Sequence, residues 1–70
     1  MTENLDYLST QEREKIIQIS KKNNKFLYQI GQRCEVKDKS YWSRIMSQKK
    51  PIPEHVRMAI NRMFQEEETL

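Results

Sequence analysis

Ser40, Arg44 and Ser47 recur at spacings of three and four residues, and Lys37, Lys49 and Lys50 bracket them. Such spacings place side chains on one face of a helix. Arginine can pair bidentately with guanine edges, serine and glutamine can bond bases or phosphates, and lysine neutralises phosphate. With Tyr41, Ser43 and Gln48 on the flanks, the candidate set is Lys37, Ser40, Tyr41, Ser43, Arg44, Ser47, Gln48, Lys49 and Lys50. The chemistry this set suits is recognition of a DNA duplex by a helix in the major groove.

Other chemistries find less support. His55 is the one histidine, beside Glu54 but with no serine or cysteine nucleophile to pair with, and it reads as a surface residue. Cys34 is the one cysteine, so neither an internal disulfide nor a thiol-based zinc site is expected, and the expected compartment is a reducing cytoplasm. Glu66, Glu67 and Glu68 lack the spacing of a cation-binding loop. The expectation is a protein that is not an enzyme and takes no metal or cofactor.

Charge supports the same surface. The chain carries a net +3, unevenly distributed: from Lys21 to Lys50 basic residues outnumber Glu35 and Asp38 by seven, and the segments on either side are each acidic by two. A basic middle between acidic ends fits a phosphate-facing surface, although a lysine-rich solvated face is the plainer reading of such a run. Seventy residues make one domain with a small core, more suited to a binding module than to an enzyme pocket. No apolar run is long enough for a membrane span, and Met1 to Leu8 has neither the basic start nor the apolar stretch of a secretory signal.

The elements that must position these residues follow from periodicity and punctuation. Ser9-Thr10-Gln11-Glu12 has the form of a capping box and starts a first helix, with Ile16, Ile17 and Ile19 on its apolar face and Asn23-Asn24 at its end. Leu5, Tyr7 and Leu8 are expected to fold back as a hydrophobic staple or a short leading turn. A second helix, about 25–34, sets Phe26, Leu27, Ile30 and Cys34 on a buried face. Gly31 lies inside it and suggests the close approach of another helix.

Asp38 suits the cap of a third helix, about 39–49, and Val36 plugs the turn before it. Stepping by 100° per residue places Trp42, Ile45 and Met46 toward the core and leaves Ser40, Arg44 and Ser47 outside. Pro51 and Pro53 stop that helix, and Pro53-Glu54 opens a fourth, with Val56, Ala59, Ile60, Met63 and Phe64 inward. The expected architecture is all-α, a compact helix-turn-helix domain of four helices, or five if a short N-terminal turn forms. Residues 1–8 would be an arm, 9–65 the domain and 66–70 a frayed acidic tail. Its core would include Ile16, Leu27, Ile30, Val36, Trp42, Ile45, Val56 and Ile60.

The run from Trp42 through Ser43, Arg44, Ile45, Met46, Ser47, Gln48, Lys49 and Lys50 to Pro51, Ile52 and Pro53 resembles the recognition-helix exit of the lambda-repressor and Cro-like helix-turn-helix family. Ile30-Gly31 stands where that family usually has an apolar residue and Ala. The likeness spans roughly Lys25 to Phe64, with two departures: Glu35 occupies the turn position usually held by Gly, and the stretch from Val36 to Trp42 is one residue longer than the common spacing. The resemblance implies a phage- or mobile-element-type repressor whose Ser40, Tyr41 and Arg44 face enters the major groove. The second helix would cross the DNA backbone, and two protomers would read half-sites about one helical turn apart. The alternative is a small virus- or plasmid-encoded protein that uses the same frame to bind and inhibit a host protein. RNA is a third option, weakened by the lack of a sheet on which bases could stack.

Overall fold

Ser9 begins the first helix as the sequence requires. Its hydroxyl accepts a hydrogen bond from the Glu12 amide at 3.2 Å while the Glu12 carboxylate accepts from the Ser9 amide at 3.1 Å, a reciprocal capping box that satisfies two otherwise orphaned donors. The computed structural model describes residues 5–68, and within them the chain forms four helices and no strand: α1 Thr10–Lys22, α2 Leu27–Arg33, α3 Lys39–Met46 and α4 Glu54–Glu68. Residues 5–9 are not helical, so no leading turn is formed there, and the expectations for residues 1–4 and 69–70 fall outside the described residues.

Each of the first three helices stops in the same way. The residue two past the last helical one adopts the left-handed conformation: Asn24 (φ 54°), Glu35 (φ 68°) and Gln48 (φ 64°). In all three the next amide reaches back into the helix, from Lys25 to the Ser20 carbonyl, from Val36 to Gly31 at 2.8 Å and from Lys49 to Arg44 at 2.9 Å. This is the Schellman stop, which usually places glycine at the left-handed position. Here no glycine serves any of the three. The third stop ends α3 at Met46, three residues earlier than the expected boundary, so Lys49 and Lys50 lie in the connection to α4.

The core joins all four helices and the segments between them. Ile16, Ile30, Val36, Trp42, Ile45, Val56 and Ile60 are buried as expected, together with Leu8, Ile19, Cys34, Met46, Ile52 and Met63. Gly31 is where α3 presses on α2: a methyl group added there would meet Trp42 ring atoms at 2.6–2.9 Å. Burial pushes the Cys34 thiol up to about 11, which fits a small apolar side chain sealed in the core.

Leu27 and Phe26 correct the expectation of a buried face at the start of α2. Phe26 is 70% exposed because it precedes the helix in extended conformation (φ −75°, ψ 156°) and turns outward to stack on Tyr28. Leu27 is 39% exposed because it lies at the mouth of a groove between α1, α2 and α3 that no further segment of the described chain covers. Leu5 and Tyr7 are likewise exposed, leaving Leu8 alone to anchor the arm in the core. The acidic end of α4 is not frayed through Glu68: Glu66 and Glu67 pair with Arg33, Glu67 also with Lys22, and Glu68 with Lys15.

Candidate nucleic-acid interface

Asp38 orients the candidate helix. Its carboxylate accepts from the Ser40 amide at 2.9 Å and the Tyr41 amide at 3.4 Å, fixing the start of α3 in the turn after α2. Trp42, Ile45 and Met46 then lock its rotation by burial. What remains outward is Lys39, Ser40, Ser43, Arg44 and Ser47, all exposed, with Lys37 exposed on the approach and Lys49 and Lys50 exposed beyond the helix end. The rotation expected from sequence is the one observed.

Two members of the candidate set stand apart from that face. Tyr41 is partly covered, packed against the core on the side where Pro53 and Val56 line a shallow depression. Gln48 is exposed, but its side-chain amide donates to the Leu8 carbonyl at 2.6 Å, and its left-handed backbone ends the helix. Its task in the described structure is to tie the arm to the exit of α3. Lys39, which lies outside the candidate set, is exposed but turns toward α2: its ammonium sits 4.1 Å from the centre of the Tyr28 ring.

A second polar cluster fastens the region behind α3. The Arg57 guanidinium on α4 donates to Asp6 through Nε at 2.6 Å and Nη2 at 2.8 Å, and its Nη1 also bonds Glu12. The Asp6 carbonyl accepts from the Ile52 amide in the α3–α4 connection. Hydrogen bonds from Arg57 hold the Asp6 carboxyl below its ordinary value. Burial pushes Glu12 up, but hydrogen bonds from Arg57 and Ser9 outweigh it and the net shift is downward. The same two carboxylates raise Arg57.

Asp6, Glu12, Glu66, Glu67 and Glu68 are matched to Arg57, Arg33, Lys22 and Lys15. Among the described residues Lys37, Lys39, Arg44, Lys49 and Lys50 form no ion pair. Asp6, Glu12 and the three acids at the end of α4 are thus neutralised within the fold; among the described residues Glu14, Glu35, Asp38 and Glu54 form no ion pair, and Arg13, Lys21, Lys25 and Arg62 share that state with the cations around α3.

Comparisons with family models, with curated proteins and with solved structures find no match to this chain.

Proposed function

We propose that this chain binds double-stranded DNA through the outer face of α3, in the manner of the lambda-repressor and Cro-like proteins that its sequence resembles. The observation that supports the reading is the group of cations without ion pairs among the described residues, Lys37, Arg44, Lys49 and Lys50, placed around a short helix whose outer face carries Ser40 and Ser43, with Ser47 at its end. A helix of this kind fits the major groove; lysines at its ends reach phosphates while a central arginine reaches base edges. Repression from paired half-sites belongs to the same proposal, with Met58, 58% exposed on α4, as apolar surface for a second protomer.

Arg44 and Lys50 divide the work in this reading. Arg44→Ala is expected to cost about 1–3 kcal/mol on a duplex selected from a random pool and much less on unselected DNA. Lys50→Ala is expected to weaken both by similar amounts. Competition titrations with the two DNAs measure the difference, and equal losses for Arg44→Ala on both would remove it as a base reader.

One observation favours a protein target instead. Phe26 and Leu27 expose apolar surface beside Tyr28 at the start of α2, and exposed apolar patches mark protein contacts more often than phosphate contacts. A host protein bound through that patch would be lost on Phe26→Ala with little dependence on salt, whereas DNA binding would keep its salt dependence in the same variant.

A further inference from the structure

The groove between α1, α2 and α3 has the makings of a ligand site. Its volume is about 270 Å³, close to the lower limit for small-molecule pockets. Ile17, Leu27 and Met46 give it an apolar lining, and Trp42 contributes to the same surface. Lys39, held over the Tyr28 ring, and Arg13 also line it, and neither makes an ion pair among the described residues. Trp42 is 2% exposed, and its indole Nε1–H is buried without an acceptor.

Apolar walls and two cations without ion-pair partners select a common partner. We propose that this groove binds a small amphipathic organic anion, a single ring or short alkyl chain carrying one carboxylate, as a free molecule. The apolar part would cover Leu27, which is exposed for want of any other cover. Its carboxylate would be drawn to Arg13 and Lys39, where charge-assisted hydrogen bonds are the stronger kind. Ser43 and Ser47 of the candidate DNA face border the groove, so the two surfaces share one edge of α3. The test of the groove uses the protein alone, without DNA.

Phenylacetate serves as the probe, with the uncharged phenethyl alcohol as its partner. The chain has one tryptophan, so its NMR spectrum carries a single indole N–H resonance. Phenylacetate is expected to shift that resonance saturably in the low-millimolar range, as befits so few atoms. The alcohol should bind about tenfold more weakly, and the Arg13→Met/Lys39→Met double variant should lose a similar factor for phenylacetate and none for the alcohol. Both substituted residues are exposed, and an unchanged melting temperature would confirm the variant's fold. No saturable shift up to about 20 mM, or equal binding of acid and alcohol, would overturn the proposal.

Discussion

Gly31 is the chain's single glycine, and it serves contact rather than a turn. A Cβ there would meet the rigid Trp42 ring at 2.6–2.9 Å, so Gly31→Ala is expected to destabilise by about 1–3 kcal/mol despite alanine's better helix propensity. Chemical denaturation measures it. A stabilised variant would mean that α3 can retreat from α2 at no cost. Glu35 presents the opposite case, a side chain at a left-handed position that glycine fills without strain. Glu35→Gly should therefore stabilise by about 1 kcal/mol, since the left-handed conformation costs an ordinary residue about that much. A loss of stability in the same assay would contradict the strain argument. The close approach at Gly31 was legible in the sequence because glycine inside a helical pattern has few other reasons. The turn at Glu35 was legible only through the resemblance that puts Gly at that position, and the one at Gln48 was not, because neither residue type favours positive φ.

At the scale of elements, local signals were read well and long-range ones poorly. The Ser9 box, the Asp38 cap, the Pro53-Glu54 start and the rotation of α3 all depend on residues within a turn or two of each other. Gln48 reaching Leu8, Arg57 reaching Asp6 and Glu12, and Arg33 reaching Glu66 and Glu67 join residues tens of positions apart, and charge or amide type alone names no partner at such distances. That is why 66–70 read as a frayed tail although α4 continues through Glu68. Exposure of Phe26 and Leu27 was hidden for a related reason: periodicity reports which face is apolar, not whether another segment covers it.

The Arg57 cluster makes a pH-dependent statement about how the arm holds α4. Asp6 and Glu12 titrate below their ordinary values of 3.8 and 4.5 in the folded chain. A depressed carboxylate adds stability above its unfolded value and loses it as pH falls through the folded one. Arg57→Met should cost about 1 kcal/mol at neutral pH, a modest figure because Asp6 is 45% exposed and water screens the pair. The gap between variant and parent should close as pH falls from about 5 toward 2. Melting curves across that range test it, and a gap that persists in acid would show that the contribution of Arg57 is packing rather than charge.

For the whole molecule, a chain of net charge +3 uses part of its acidity in internal ion pairs. Asp6, Glu12, Glu66, Glu67 and Glu68 are taken up by Arg57, Arg33, Lys22 and Lys15, leaving Lys37, Arg44, Lys49 and Lys50 around α3 without ion pairs among the described residues. Binding of a duplex by the α3 face is the central claim, and the salt dependence of affinity measures it most directly. Contact with about four phosphates per protomer predicts a log–log slope near −3.6, hence about a 100-fold loss of affinity between 50 and 200 mM salt. Fluorescence anisotropy of a labelled duplex titrated with the full chain at several salt concentrations gives that slope. A steep fall of this size is the result expected here, and an affinity that is flat across the same range, or no binding at 50 mM, would contradict it.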